Sequence, residues 1–280
     1  MDWLDGVLSA HSISSTIDQW AFSVLNHEQR NRLRDCRVLW MEHRKNREGS
    51  MHEYIQVAVL CTIHSTPCFR FIRIDRSFQR NPPHTQDHHR PLLRGRSLPA
   101  DDTLMISSTP HLAGSFSVYV MHFDFAVAPS ILDLAIVLSA VTSAAPVYNL
   151  ETMCYWYARM VFESTAESFN GRVEPGQCPE LRGRFTRGIR LVEKDGKFCL
   201  AILAYVPWIK RSLVALPTRL DLLSEVTHLR EELERAWYCA ESAEATGDAE
   251  LIATAGESLT VEQLEDSEVR VIFRRLTHRS

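Results

Sequence analysis

The chain has 280 residues, of which 45% are hydrophobic and 24% are charged, and its formal net charge is −4. These values are typical of an ordinary globular protein, and the charge is not that of a nucleic-acid-binding surface. The longest apolar stretch, residues 125–141, is interrupted by Pro129 and Asp133. We therefore expect neither a nucleic-acid partner nor a membrane span.

The distribution of charge along the chain and the number of cysteines indicate the environment in which the protein works. Residues 218–280 carry a net charge of −7, so the remainder carries +3. The seven cysteines are an odd number without close spacing, which favours free thiols in a reducing compartment. We recognise no secretory signal at the N-terminus, and a cytoplasmic location is the expectation.

The chain divides into three predicted parts. Residues 1–48 are predicted to form a helical segment, in which Asn26 could cap a helix with Gln29 three positions later. Residues 49–217 are predicted to form an α+β core domain, and residues 218–280 a C-terminal helix followed by an acidic tail.

The predicted sheet begins with two strands, 54–60 and 68–76, which are rich in β-branched and aromatic residues and close enough to form a hairpin. The segment 79–102, rich in proline and arginine, is predicted to be an exposed loop. Strands are expected at 103–107 and 115–124. A second hairpin is expected within 186–206, around Asp195 and Gly196.

Two helices are predicted between these strands. The first runs from Ser130 to about Ala144 and has almost no polar side, so it should be buried; Ser130 and Asp133 form a capping pattern. The second starts at Asn149 or Thr152 and ends near Phe169. The predicted fold class is α+β, with an antiparallel sheet packed against this buried helix pair and with helical flanks at both ends.

The C-terminal helix carries apolar residues at heptad spacing from Leu222 to Ala240. Packing of this seam on its own domain is favoured, and a homodimer through the same helix is the alternative.

His52, at the start of a strand, and Cys154, at the start of an apolar helix, are the parts of a thiol nucleophile. A cysteine attacks as the thiolate, and both an imidazolium and the positive end of a helix lower its pKa. If Thr152 caps the helix, Cys154 lies in the first turn; if Asn149 does, Cys154 lies one turn later. The sequence leaves both starts open.

Strand parity suggests a third member of the site. Placing the branched residues of the hairpin on one face puts His52 on the other face with Asp75, which could orient the imidazole. Arg73 would support this charge or contact a substrate carboxylate. The sequence therefore predicts a catalytic set of Cys154, His52 and Asp75. A substrate-binding set would consist of Arg73, Tyr54, Gln56 and Trp156.

Each member also has an ordinary structural interpretation. A cysteine in an apolar helix is often a small core residue, and Asp75 could simply pair with Arg73 or Arg76 on the surface. His84, His88 and His89 are candidate metal ligands, but a proline-rich loop gives them no fixed geometry. We expect no metal and no cofactor.

A resemblance to known proteins rests on four segments of the sequence. These are His52-Glu53-Tyr54, Ile72 through Arg76, Pro129 through Leu134, and Tyr148-Asn149-Leu150 continuing to Cys154-Tyr155-Trp156-Tyr157-Ala158. Over roughly residues 50–170 they resemble an uncharacterised group of fungal proteins, mainly from mushroom-forming species. The order His before Cys is also similar to circularly permuted papain-like enzymes, such as the lecithin retinol acyltransferase type. Met153 and Tyr155 flank Cys154, so the Asn-Cys-Glu-His signature of that type is missing and acyl transfer to a lipid is not implied.

The predicted function is cysteine-dependent hydrolysis of, or acyl transfer from, an amide or ester in a small molecule or peptide. The alternative is a non-catalytic interaction protein that uses the C-terminal helix.

Overall fold

The computed structural model describes residues 12–25, 33–47, 51–63, 66–78, 98–149, 152–184 and 219–246. Over these residues the protein is α+β, with an eight-stranded antiparallel sheet and four α-helices, which confirms the predicted class. The strands are β1 (Ile13–Thr16), β2 (Arg37–Asn46), β3 (Glu53–Ile63), β4 (Thr66–Phe78), β5 (Leu98–Ser107), β6 (Ser115–His122), β7 (Val147–Tyr148) and β8 (Arg172–Pro175). The helices are α1 (Ile17–Leu25), α2 (Ile131–Ala144), α3 (Cys154–Ser168) and α4 (Arg219–Thr246).

The strands lie in the order β1-β5-β4-β3-β2-β6-β8, and β7 pairs with β5. The central hairpin of β3 and β4 pairs Ile55 with Ile74 and Val57 with Ile72. These four side chains are buried, so the branched residues share one face, as the sequence predicts. This face packs against α3, which places the start of that helix near the end of the hairpin.

The prediction of a helical segment over residues 1–48 is wrong for residues 37–46. These residues form β2, which lies between β3 and β6 inside the sheet. Met41, His43 and Lys45 of β2 are buried. Because two of these buried residues are polar, the sequence of β2 lacks the alternation of apolar and polar residues that predicts a half-buried strand. Among the described residues before β2, helix is present in α1 and at Leu33, whereas the predicted cap of Asn26 and Gln29 lies outside the described residues.

The predicted loop over 79–102 also needs correction at its end. Residues 98–102 are part of β5, where Asp102 pairs with Arg76 of β4 across the sheet. Residues 79–97, with the three histidines, lie outside the described residues. The same holds for residues 185–218, which include the predicted second hairpin.

Helix α2 begins as predicted, with a reciprocal capping box. The Asp133 backbone N–H donates to Ser130 Oγ at 3.2 Å, and the Ser130 backbone N–H donates to Asp133 Oδ2 at 2.8 Å. Two otherwise unpaired donors at the helix start are thereby satisfied.

Helix α3 begins at Cys154, and the residue that precedes its first turn is Met153. Both predicted caps are therefore wrong. Thr152 and Asn149 hydrogen-bond to each other instead: the Thr152 N–H donates to Asn149 Oδ1 at 3.0 Å. Thr152 Oγ1 also donates to the Val147 carbonyl at 2.5 Å. These bonds fix the turn that delivers Cys154 to the first position of the helix.

Helix α4 packs on α2 and α3. Leu222 and Val226 of the heptad seam are buried there, and Leu229 and Leu233 pack against the same core. The apolar side chains at these positions serve the core of the chain itself. None of the described helices combines the length and the apolar character needed to cross a membrane.

Candidate active site

His52 is held at the entry to β3. Met51, immediately before it, has a φ of 54°, a left-handed conformation that is uncommon for a non-glycine residue. The His52 carbonyl accepts a hydrogen bond from the Asn46 N–H at 2.8 Å, which ties this turn to β2. The His52 imidazole Nε2 lies 2.7 Å from Asp75 Oδ1.

Asp75 is the centre of a charged cluster on β4. Arg73 donates to it from Nε at 2.7 Å and from Nη2 at 3.0 Å, and the Arg73 guanidinium lies 3.9 Å from the ring centre of Tyr54. Burial by itself would raise the pKa of Asp75, but the hydrogen bonds from His52 and Arg73 outweigh it and lower the pKa. Asp75 is therefore a carboxylate at neutral pH.

The Cys154 thiol completes this chain of contacts through a hydrogen bond with His52. Because Nε2 of the imidazole faces Asp75, Nδ1 is the ring nitrogen left for the sulfur. The structure thus brings Cys154, His52 and Asp75 together from the start of α3, the entry to β3 and the end of β4.

Charge separation across the Cys154–His52 contact is favoured. Burial opposes ionisation of the thiol, but the attraction and hydrogen bond of His52 and a backbone hydrogen bond from the Glu53 N–H lower the pKa of Cys154. Burial likewise opposes protonation of His52, yet Cys154 and Asp75 raise the pKa of His52 to about 10. The helix start adds positive potential at the sulfur. His52 and Cys154 therefore stabilise each other's charged form, the imidazolium and the thiolate.

Tyr148 is a site residue that the sequence reasoning missed. Its ring packs on Phe78 with 5.6 Å between centroids, and its hydroxyl hydrogen-bonds to both the sulfur and the backbone N–H of Cys154. Burial and the adjacent thiolate raise the pKa of Tyr148, so the hydroxyl keeps its proton and can donate it in a hydrogen bond. Tyr148 belongs to one of the segments that carry the resemblance, but its place beside the sulfur depends on the pairing of β7 with β5, which the local sequence does not predict.

The interpretation of Arg76 as a surface partner of Asp75 is wrong, because Arg76 is fully buried. It makes a bidentate pair with Asp102 at 2.6 Å for both contacts. The same guanidinium donates to the carbonyls of Thr152 at 3.1 Å and Ala145 at 2.8 Å. Arg76 therefore holds the segment that precedes Cys154 against the sheet.

Glu53 anchors the backbone on the other side of the sulfur. Its carboxylate contacts Lys45 Nζ at 2.5 Å and His43 Nε2 at 2.7 Å, and accepts from the Gly183 N–H at 2.8 Å. Burial would raise the pKa of Glu53, but the contacts with His43 and Lys45 lower it to about 2. This buried network fixes the residue whose N–H donates to the Cys154 sulfur.

The substrate-binding set is wrong for Tyr54 and Gln56. Both are buried, and the Tyr54 hydroxyl donates to the His111 carbonyl at 2.9 Å, while Gln56 Oε1 accepts from the His111 N–H at 3.2 Å. These side chains hold the connection between β5 and β6, and no surface is left on them for a ligand. Trp156 is also buried, with the Arg76 guanidinium 5.6 Å from its ring centre.

The exposed edge of the site is formed by charged groups. The side chains of His52, Asp75 and Arg73 are 21%, 23% and 24% exposed, whereas Cys154 is 6% exposed. Within the described residues, a ligand would therefore reach the sulfur past His52. Among the same residues, no cluster of His, Cys, Asp and Glu has an arrangement that could hold a metal ion.

The chain matches no family model, no curated protein and no solved structure. Inference about the site therefore depends on its geometry and electrostatics.

Proposed function

We propose that the protein is a thiol enzyme that hydrolyses, or transfers the acyl group of, an amide or ester. The observation that carries this proposal is the continuous contact from the Cys154 sulfur through His52 to Asp75, with His52 Nε2 2.7 Å from the carboxylate. An inert cysteine buried in apolar surroundings has a raised thiol pKa, whereas the pKa of Cys154 is lowered.

The proposed reaction has two halves. The Cys154 thiolate attacks the substrate carbonyl carbon. The resulting oxyanion then replaces the Tyr148 oxygen as acceptor of the Cys154 backbone N–H, and replaces the sulfur as acceptor of the Tyr148 hydroxyl. When the tetrahedral intermediate collapses, the bond to the leaving group breaks and the His52 imidazolium gives the leaving group its proton. Neutral His52 then takes a proton from water or another acceptor, which attacks the thioester and releases the thiolate.

Asp75 has a positioning role in this scheme. It fixes the imidazole through Nε2 and stabilises the imidazolium, so that Nδ1 faces the sulfur. Arg73 restricts the carboxylate by two hydrogen bonds, which use two of its five N–H donors.

The order of the residues supports a permuted papain-like layout as part of the proposal. The histidine enters from a strand early in the chain, and the cysteine follows at the start of a helix. This is an analogy of arrangement, and it identifies no substrate. For the non-catalytic alternative, no contact of the described residues offers comparable support, because Leu222 and Val226 of the α4 seam are buried in the core of the chain itself.

Alkylation measured separately for each cysteine tests the proposal. Folded protein is treated with iodoacetamide over a range of pH, and peptide mass spectrometry follows Cys154 beside Cys68 and Cys178, which are half-buried free thiols. We expect Cys154 to react first near neutral pH, with a titration midpoint below 9 that moves upward in His52→Ala. Labelling of Cys154 no faster than Cys178, with the same midpoint in both proteins, would contradict the proposal.

A second measurement addresses the acyl step. With p-nitrophenyl acetate as the probe, we expect a burst of nitrophenol equal to the enzyme concentration in the wild type and none in Cys154→Ala. A burst that persists in Cys154→Ala would locate the reaction elsewhere.

A further inference from the structure

A second group of cysteines lies in one row across three adjacent chain segments. In the β3–β4 hairpin Cys61 pairs directly with Cys68. In the β2–β3 pair Arg37 lies opposite Leu60, so the next position of the same register places Cys36 opposite Cys61. The thiols of Cys36 and Cys61 are hydrogen-bonded to each other. Cys61 therefore has a thiol neighbour on each side.

The spacing of such a row suits disulfide formation. Residues directly opposite each other in antiparallel strands have Cα atoms about 4.5–5.5 Å apart, within the roughly 4.4–6.8 Å found in disulfides. All three cysteines are free thiols in the structure. Either neighbour could be joined to Cys61 with little movement of the backbone.

The three thiols differ in access, and the Cys36 and Cys61 thiols also differ in their pKa. Cys36 and Cys61 are buried, whereas Cys68 is half-buried at one end of the row. The Cys61 thiol donates a hydrogen bond to Cys36, which lowers the pKa of Cys36 and raises the pKa of Cys61. An oxidant from solution therefore meets Cys68 first, and Cys36 is the better internal nucleophile.

We propose that Cys68, Cys61 and Cys36 form an oxidation site that takes a small disulfide such as glutathione disulfide. The Cys68 thiolate attacks glutathione disulfide, forms a mixed disulfide and releases one glutathione. Cys61 then gives its proton to the hydrogen-bonded Cys36 sulfur and attacks the Cys68 sulfur, which forms the Cys61–Cys68 disulfide and releases the second glutathione as a thiolate. Cys36 exchanges onto Cys61 in the same way and returns Cys68 to the thiol. In total, two protein thiols are oxidised and one glutathione disulfide is reduced to two glutathiones.

This site is separate from the candidate active site, since Cys154 takes no part in it. A transient intrachain disulfide of this kind is compatible with the reducing compartment that the cysteine content suggests, where such bonds are regulatory.

The test uses full-length protein treated with glutathione disulfide, followed by trapping of free thiols and peptide mapping. In the wild type we expect Cys61 in a disulfide with Cys68 or Cys36, and little glutathione retained on Cys68. Cys178 is the internal control, a half-buried free thiol on the segment after β8 that should retain glutathione once modified. Glutathione retained on Cys68 of the wild type to the same extent as on Cys178 would overturn the proposal.

Variants separate the steps. In Cys61→Ala we expect Cys68 to keep its glutathione, and in Cys36→Ser we expect Cys61 linked only to Cys68. In Cys68→Ser, formation of the Cys36–Cys61 disulfide should be at least tenfold slower, and an unchanged rate would refute entry through Cys68. Because the wild-type comparison of Cys68 with Cys178 needs no substitution, the proposal stays testable if a buried variant folds poorly.

Discussion

The guanidinium of Arg76 donates a hydrogen bond to the carbonyl oxygen of Thr152 at 3.1 Å, two residues before Cys154. The same side chain is paired with Asp102, so a buried ion pair of the sheet positions the start of α3. Stability and the geometry of the thiol are therefore linked through one residue that does not touch the sulfur.

Replacement of Arg76 by Met should destabilise the protein by about 3–5 kcal/mol, because it leaves the Asp102 carboxylate buried without its partner. Urea unfolding measures this loss, and Cys154 alkylation in the folded fraction should slow. A double variant, Arg76→Met with Asp102→Leu, should recover much of the stability. Arg172→Met is the control, because its pair with Glu174 is 77% and 52% exposed and should contribute less than about 1 kcal/mol. Equal effects of the two single variants would contradict a buried anchoring role.

Asp75→Asn should weaken the ion pair between Cys154 and His52 while it preserves the size of the side chain at position 75. Loss of the carboxylate lowers the pKa of His52, and the pKa of Cys154 then rises toward its ordinary value of 9.0. The expected readout is an upward shift of the alkylation midpoint and a fall of at least tenfold in ester turnover. Asp101→Asn, on the neighbouring strand β5, should leave both unchanged, and an unshifted midpoint in Asp75→Asn would remove Asp75 from the scheme.

Tyr148→Phe tests the proposed oxyanion donor. Removal of one such donor typically lowers kcat by about 10²–10³. Alkylation by iodoacetamide forms no oxyanion, so its rate should change less than tenfold. Tyr238→Phe is the matched control, because that side chain is 72% exposed on α4. If alkylation and turnover fall equally, the hydroxyl stabilises only the thiolate.

The titration of His52 should be visible directly by NMR, with a midpoint near 10 in the wild type, compared with an ordinary value of 6.5, and a lower midpoint in Cys154→Ala. Because the pKa of His52 is raised in the folded protein, its contribution to stability is complete below pH 6.5 and is lost as the pH rises toward 10.

The contribution of Cys154 to stability depends on pH in the opposite direction. Its pKa is lowered on folding, so its contribution is present above pH 9 and is lost as the pH falls through the folded pKa. The two slopes offset each other from the folded pKa of Cys154 up to pH 9. Above pH 9 only the His52 contribution still changes. The pair should therefore lower the free energy of unfolding between pH 9 and about 10, and this decrease should be absent in His52→Gln. A parallel decline in both proteins, measured by urea unfolding, would exclude the pair as its source.

Local patterns predicted those parts of the fold that depend on neighbouring residues. The branched residues of β3 and β4 predicted the shared face of the hairpin and the proximity of His52 and Asp75. Ser130 and Asp133 predicted the start of α2, because a capping box is a contact within one turn. In these cases the interacting residues are close in the sequence, or the alternation of side chains along a strand is enough to predict which residues share a face.

The remaining parts depend on contacts between distant segments. The helix prediction is wrong for β2 because His43 and Lys45 are buried through their contacts with Glu53 of β3. The sequence of β2 alone does not show this partner. Tyr148 and Arg76 reach the site through pairing with β5 and with Asp102. Tyr54 and Gln56 were assigned to a substrate surface because parity predicts the face of a strand but not what covers that face.

The left-handed turn at Met51 has a consequence for engineering of this protein. A side chain at this backbone position carries a conformational cost that glycine would avoid, so Met51→Gly could relax the turn. In such a variant the backbone before His52 would sample more conformations. The imidazole would then be held less firmly in one orientation, and proton transfer through it would be less efficient.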